Sequence, residues 1–263
     1  MSDLILRSDH DGITRLVLNR PETFNLLSAE MIATLYTTLA SIGAEEDARV
    51  IVIAGSGRAF SAGHDLRQMQ AARANPDGGR AGYRALFGGC AQLMELIATL
   101  PQPVIAEVQG TATAAGCQLV AACDLAIAAE GVRFGVNGID VGLFCATPAV
   151  ALSRAIPRKA AFGLLVTGDF IDATEAVRLG LINRAVPAKK LSDEVMALAT
   201  RIAQKQASAI AMGKRSFYEQ ISHDTTEAYE AACDTICANM MLAETDAAIT
   251  AFLDRGQAGK KPA

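Results

Sequence analysis

The most constraining feature of this chain is a set of short apolar runs, each closed by a glycine or a polar turn. Val50–Ala54 and Leu125–Ala128 contain no polar residue, and Pro103–Val108 is interrupted only by Glu107. A strand with one wet face alternates apolar and polar residues; a strand without alternation is covered on both faces, as in a parallel sheet sandwiched by helices. Helical patterns stand between and after these runs. Ser28 is placed to cap a helix reaching about Glu46, with Met31, Leu35, Leu39 and Ile42 on one face, and Tyr83 to Leu100 reads as a second. Leu4–Leu6 and Thr14–Asn19 flank Asp11-Gly12, a hairpin signal. Pro148–Ile156, Arg158–Gly168 and Ala173–Leu179 read as helices, the last behind an Asp172…Glu175 capping box. Helical patterns then dominate from Leu191 to Leu253. Strand–helix alternation followed by helices is an α/β fold with a helical tail.

Composition narrows the partners. Among 263 residues, 51% are apolar and 20% charged, with a net charge of −4. There is no basic footprint for nucleic acid and no Lys/Arg run for a membrane surface, which leaves small molecules and proteins. Six cysteines (Cys90, Cys117, Cys123, Cys145, Cys233, Cys237) lack zinc spacing. They read as reduced thiols, with no metal site. Met1-Ser-Asp-Leu lacks a charged segment followed by an apolar one, so a cytoplasmic protein is expected.

Thr111 to Asp124 carries the chemistry. It follows a buried strand and Gly110, and small residues fill the turn and the first helical positions, so a ligand's polar atom can approach backbone N–H groups. With a helix beginning near Ala114, Gln118 shares a face with Ala115 and overhangs whatever the Ala115 N–H binds. The same residues also suit plain helix–sheet packing. A second stretch, Arg58 to Leu66, follows Gly55-Ser-Gly57. Phe60 replaces the third glycine of a dinucleotide fingerprint, and Ser61 lies outside a Gly-x-Ser-x-Gly elbow, so both of those readings fail.

The order and spacing of Leu18-Asn-Arg-Pro21 with Asn25, Phe60-Ser-Ala-Gly-His-Asp-Leu66, Pro103–Ala106, Ala115-Gly-Cys-Gln118 with Cys123-Asp124, Phe134-Gly135, Leu165–Gly168, Ala176…Gly180-Leu181 and Ala251–Leu253 resemble the crotonase, or enoyl-CoA hydratase/isomerase, family. The resemblance implies a ClpP-like spiral of ββα turns over 1–190 and a helical region over 191–263 that trimerises and closes over the ligand. It implies a homotrimer or hexamer, no cofactor, and a coenzyme A thioester as substrate. The thioester oxygen would sit between the N–H groups of His64 and Ala115, where two fixed donors stabilise an enolate-like oxyanion. Ala62, Asp65, Leu66 and Gly116 match positions that contact the ligand, and Arg67 is a possible phosphate partner.

The chain departs from the family's hydratases, which place glutamates at the positions of Gln118 and Gly138. Neither residue here changes protonation near pH 7, and losing general acid–base help is worth about 10²–10⁴ in rate per group. His64 and Asp140 are the candidates for proton transfer; Cys145 reads as apolar lining, and His10 and His223 as surface. Gln118 and Val141–Pro148 further resemble a hydratase-like branch related to a mitochondrial form. The expected function is a lyase or isomerase working through a thioester enolate, with an acyl-CoA decarboxylase or hydrolase using His64, or a non-catalytic acyl-CoA binder, as alternatives. On this reading, Gln118→Glu with Gly138→Glu is predicted to create crotonyl-CoA hydration.

Overall fold

The computed structural model describes residues 3–258. Met1 and Ser2 of the N-terminal reading, and the last five residues of the 191–263 region, lie outside the described residues. The chain forms two compact units, Met1–Lys205 and Gln206–Ala263.

The first unit is built from strands that alternate between two sheets. A six-stranded sheet holds β1 (Ile5–His10), β2 (Ile13–Leu18), β3 (Val50–Gly55), β5 (Val104–Val108), β7 (Leu125–Ala129) and β10 (Arg184–Val186), in that order. A four-stranded sheet holds β4 (Ala59–Ser61), β6 (Thr111–Thr113), β8 (Arg133–Gly135) and β9 (Phe170–Asp172). Each of the pairs β3/β4, β5/β6 and β7/β8 gives one strand to each sheet before a helix returns the chain, which is the spiral of ββα turns the resemblance implies. Within the larger sheet only β1–β2 is antiparallel, and Asp11 and Gly12 turn that hairpin at φ 48° and 76°.

The apolar runs behave as their composition requires: every residue from Val50 to Ala54 and from Val104 to Val108 is buried. Glu107 stays in the core because Arg15, two strands away, meets it with a two-pronged hydrogen bond, Nε and Nη2 each 2.9 Å from a carboxylate oxygen. Helix α1 (Ala29–Gly43) buries Met31, Leu35, Leu39 and Ile42, and Ser28 Oγ accepts the Met31 N–H at 3.2 Å. Helices α2 (Leu66–Ala72) and α3 (Arg80–Thr99) follow β4, and α4 (Ala115–Ala122) follows β6. Further on come α5 (Ala146–Ala155), α6 (Arg158–Thr167), α7 (Ala173–Leu179), capped by Asp172 as expected, and α8 (Leu191–Ala203).

The expected division at 190/191 moves to 205/206, since α8 lays Leu191, Val195 and Ala199 against β3, β5 and β7 and completes the core. The second unit contains α9 (Ala207–Gln220), α10 (Thr225–Met240) and α11 (Ala243–Ala258). Large apolar side chains stay exposed on it, including Phe217, Ile221, Ile236 and Met241. Cys233 and Cys237 are free thiols, as expected, and are exposed here too.

Candidate active site

Strands β4 and β6 run parallel, with Ala59 opposite Thr111 and Ser61 opposite Ala112. Their following loops therefore leave the sheet side by side. Gly63 takes φ 85°, and a methyl group placed on it would lie 3.0 Å from the Ala115 nitrogen and 2.9 Å from Ala114 Cβ. The residue before His64 thus lies against the backbone nitrogen of Ala115. At the next step Gly116 faces Ser61 even more closely: a methyl group there would lie 2.2 Å from the Ser61 carbonyl oxygen. Gly110, at the other end of β6, makes the same kind of approach, 2.2 Å from the Arg58 oxygen. Only glycine lets two backbones pass at this separation.

Between them, Ala114 holds φ 50° and ψ −122°, a conformation that costs a residue with a Cβ about 1–3 kcal/mol. This kink turns the chain out of β6 directly into α4, so Ala115 becomes the first helical residue, one position later than the sequence pattern suggests. Ala115 is buried, and its N–H belongs to the first turn, where amides have no acceptor within the helix.

The His64 loop is fastened from below by the 20–27 segment. Asn25 is wholly buried in the left-handed region at φ 53°; its Oδ1 accepts the Arg20 N–H at 2.9 Å, and its Nδ2 donates to the Ser56 and Ala59 carbonyls at 2.9 Å each. Ser61 Oγ donates to Asn25 O at 2.8 Å and accepts the Gly63 N–H at 3.3 Å. The Ala62 N–H donates to Phe24 O at 3.0 Å, and the Leu27 N–H to Gly63 O at 2.8 Å. Asn25 and Ser61 belong to the quoted motifs, but their positioning role was not read from the sequence. The signal was an amide and a hydroxyl inside otherwise small or apolar motifs.

His64 Nδ1 lies 3.0 Å from Leu27 O, and its ring meets Phe87 edge-on at 5.3 Å and 69°. A carbonyl only accepts, so Nδ1 carries the proton. Nε2 is buried with no hydrogen-bond partner among the described residues. Burial pulls this imidazole below the usual histidine range, against a smaller opposing effect of the Leu27 carbonyl. At neutral pH the ring is an uncharged acceptor, and an unpaired buried acceptor is worth about 1–3 kcal/mol of lost stability.

Gln118 is buried on α4 and leans to α3, where its Oε1 receives the Cys90 thiol at 3.9 Å. Burial pushes that thiol up to about 12, so it remains the donor. Asp65 Oδ1 caps α2, accepting the N–H groups of Arg67 and Gln68 at 2.8 and 3.1 Å. Leu66 and Arg67 are exposed, and Ala62 is half-buried. Asp140 is exposed, with Oδ1 2.7 Å from where a side chain on Gly168 would begin, at the end of α6.

Gly138 lies in a short 3₁₀ segment, Asn137–Val141, tied to β6 by the Thr113 hydroxyl, which donates to Asn137 Oδ1 at 2.6 Å. A methyl group on Gly138 would meet the Leu143 carbonyl oxygen at 2.4 Å and Cys145 Sγ at 2.8 Å. Cys145 receives the Gly138 N–H, yet its burial dominates and holds the thiol above its ordinary range. The space beside Gly138 is therefore occupied by sulfur and backbone.

Next to the His64 loop, α1, α2 and α3 line a half-open cavity of about 520 Å³, bounded mainly by Ala29, Ile32, Met69, Tyr83, Leu86 and Gly89. Gln68 joins its two sides, accepting the Ala29 N–H at 3.2 Å.

Fold and site together define a protein of the enoyl-CoA hydratase/isomerase family: its profile matches residues 8–260, and the chain belongs to it. Among individual proteins, the chain is 49% identical to an enoyl-CoA hydratase of Mycobacterium smegmatis, with a TM-score of 0.92 over 97% of each chain. The human enoyl-CoA hydratase domain-containing protein 3 follows at 39% identity and a TM-score of 0.91, over 99% of this chain and 100% of that one. The mitochondrial protein of the same description from Xenopus laevis is 41% identical over 95% of this chain and 83% of its own length. These mitochondrial relatives, at 42% identity in rat and mouse as well, overturn the cytoplasmic expectation.

Proposed function

We propose that the chain binds an acyl-coenzyme A thioester with its carbonyl oxygen between the N–H groups of His64 and Ala115, and acts on it through a thioester enolate as a lyase or isomerase. The observation that carries this reading is the packing of Gly63 against the Ala115 nitrogen, imposed by the parallel exit of β4 and β6. Two donors fixed before the reaction stabilise charge as it develops on that oxygen. His64, neutral and desolvated, is the base we assign: Nε2 takes the α-proton, the C–H electron pair moves into the thioester, and the enolate oxygen rests on the two amides. The acyl chain is assigned to the apolar cavity between α1, α2 and α3, and the exposed apolar side chains of the second unit to a homotrimer or hexamer.

The thioether S-butyl-CoA, which lacks only the carbonyl, tests the oxyanion site. Two hydrogen bonds of about 1 kcal/mol each imply that butyryl-CoA binds roughly 10–50-fold more tightly than the thioether, measured by calorimetry. Equal affinities would remove the site. Proton chemistry is read separately, as exchange of the butyryl-CoA α-hydrogens for deuterium by NMR. The His64→Ala variant should bind butyryl-CoA nearly as well as the parent, because the N–H survives, and lose the exchange.

A non-catalytic acyl-CoA binder is the second reading, favoured by the amide at position 118 and the sulfur-filled space at 138. Binding without α-exchange, and without turnover of crotonyl-CoA or methylmalonyl-CoA, would select it.

A cavity assignment also predicts chain-length behaviour. Gly89 lies where an added Cβ would stay 3.7 Å from Ile32, so a side chain there grows into open space. Gly89→Leu should weaken dodecanoyl-CoA binding at least tenfold and leave butyryl-CoA within twofold. Parallel loss of both would place the chain elsewhere.

A further inference from the structure

The α2–α3 hairpin that borders the cavity carries a charge opposite to that of the chain as a whole. From Leu66 to Met94 there are four arginines, Arg67, Arg73, Arg80 and Arg84, against a single acid, Asp77, in a protein whose net charge is −4. All four are exposed, and none of their guanidinium groups pairs with a carboxylate among the described residues. The fold gains nothing from where they stand. Arg67 and Arg80 lie in the first turns of α2 and α3, which hold no acidic residue, so each cation faces the positive end of its helix dipole. Arg80 and Arg84 are one turn apart, where like charges repel. The Tyr83 hydroxyl donates to Met69 O at 2.9 Å and joins the two helices into one surface.

We infer that this hairpin is a docking surface for an acidic carrier protein that presents an acyl thioester on a phosphopantetheine arm, in addition to free coenzyme A. This rests on the thioester reading above, because the His64 loop that would receive the thioester runs directly into α2 and Arg67. Coenzyme A has the same arm, with nucleotide phosphates where the carrier has its acidic surface. Phosphates are held best where backbone N–H groups converge at a helix start. Here those amides are already taken. Asp65 Oδ1 accepts the Arg67 and Gln68 N–H groups, and the Asp77 carboxylate accepts those of Gly79 and Ala81 at 2.9 and 2.8 Å, so a phosphate at either start would meet a carboxylate. The guanidinium groups are also spread rather than gathered: at the helical rise, Arg67 and Arg73 stand about 9 Å apart along α2, and Arg80 and Arg84 about 6 Å apart along α3. Spread cations match a row of carboxylates on a protein surface.

The probes are a bacterial acyl carrier protein bearing butyryl-phosphopantetheine, the same carrier without its arm, butyryl-CoA and butyryl-pantetheine, each added to the whole protein. By calorimetry the butyryl carrier should bind at least about tenfold more tightly than butyryl-pantetheine, and lose at least about that factor as ionic strength rises from about 0.05 to about 0.3 M. The Arg73→Glu, Arg80→Glu, Arg84→Glu triple variant should lose about thirtyfold or more in carrier affinity and keep butyryl-CoA within about threefold. A carrier that binds no better than butyryl-pantetheine overturns the inference without any variant. So does a parallel loss of butyryl-CoA in the triple variant, which would give the arginines to the nucleotide phosphates. Shift changes in the NMR spectrum of the armless carrier, expected with the parent protein and absent with the triple variant, are read without any thioester. If butyryl-CoA binds no better than its thioether, the thioester reading itself has failed, which is a separate result.

Discussion

Gly116→Ala is expected to abolish thioester binding and to lower the melting temperature by roughly 2–12 °C. The added carbon would begin 2.2 Å from the Ser61 carbonyl oxygen and 2.8 Å from Ser61 Cβ, far inside contact distance. That oxygen is backbone, and its strand is not free to retreat. Ser61 Oγ is bound to Asn25 O and to the Gly63 N–H, while the next amide, of Ala62, is bound to Phe24 O. Moving Ser61 therefore drags Gly63 and His64 with it and separates the two amides assigned to the thioester oxygen. Overpacking of a tight site costs about 1–3 kcal/mol or more, and 1 kcal/mol shifts a chain of this size by about 2–4 °C. Butyryl-CoA affinity should drop at least a hundredfold, measured where the variant is still folded. Gly88→Ala is the matched control. It sits in α3 with nothing within 4 Å of the new carbon, so helix propensity alone should stabilise it by about 0.5–1 kcal/mol. A Gly116→Ala protein that keeps both its melting temperature and its affinity would show that the β4–β6 approach does not hold the site.

What was legible in the sequence follows a physical line. The larger sheet was readable because β3, β5 and β7 are buried on both faces, and burial of that kind writes itself as an apolar run without alternation, broken in β5 only by Glu107. The helices were readable where period and cap agreed, as at Ser28 and Asp172, whose side chains accept the expected amides. The smaller sheet was not. β4, β6, β8 and β9 have three residues each, too few for a period, and Thr111–Thr113 looked like part of a turn. Its absence hid the cause of the site's geometry, since the parallel pairing of β4 with β6 is what sets the two loops beside one another. The boundary at 190 failed for a related reason: α8 is as amphipathic as a tail helix, and only the sheet surface it covers reveals that it belongs to the first unit.

Site residues divide in the same way. His64, Ala115 and Gln118 could be singled out because a histidine, a small residue at a helix start and a buried amide are informative by type. The tautomer of His64 and the partner of Gln118 depend on Leu27 and Cys90, 37 and 28 residues away, and no local pattern specifies them. Asp140 was chosen for its carboxylate and its place in the connection after β8; its oxygen instead lies against Gly168, in an exposed position.

Restoring two glutamates should fail to restore hydration, contrary to what the sequence alone predicts. The first substitution is sterically mild, since Gln118→Glu changes an amide into a carboxyl of the same shape beside a protonated Cys90. The second has no room. At Gly138 the first side-chain carbon would lie 2.4 Å from the Leu143 oxygen, and opening that space breaks the Leu143 N–H bond to Gly138 O at 2.9 Å and the Gly138 contact to Cys145. Gly138→Ala alone should therefore lose about 2–3 kcal/mol, or roughly 4–12 °C, because the penalty lies in the Cβ rather than in the carboxylate. Gln118→Glu with Gly138→Glu should hydrate crotonyl-CoA, followed by loss of the conjugated enone absorbance, within tenfold of the uncatalysed rate. Adding Cys145→Ala should not help, since it removes the sulfur and leaves the Leu143 carbonyl in place. A double variant that keeps its melting temperature and gains a hundredfold or more in hydration would show that the 138–145 turn yields easily, and that only the two carboxylates separate this chain from a hydratase.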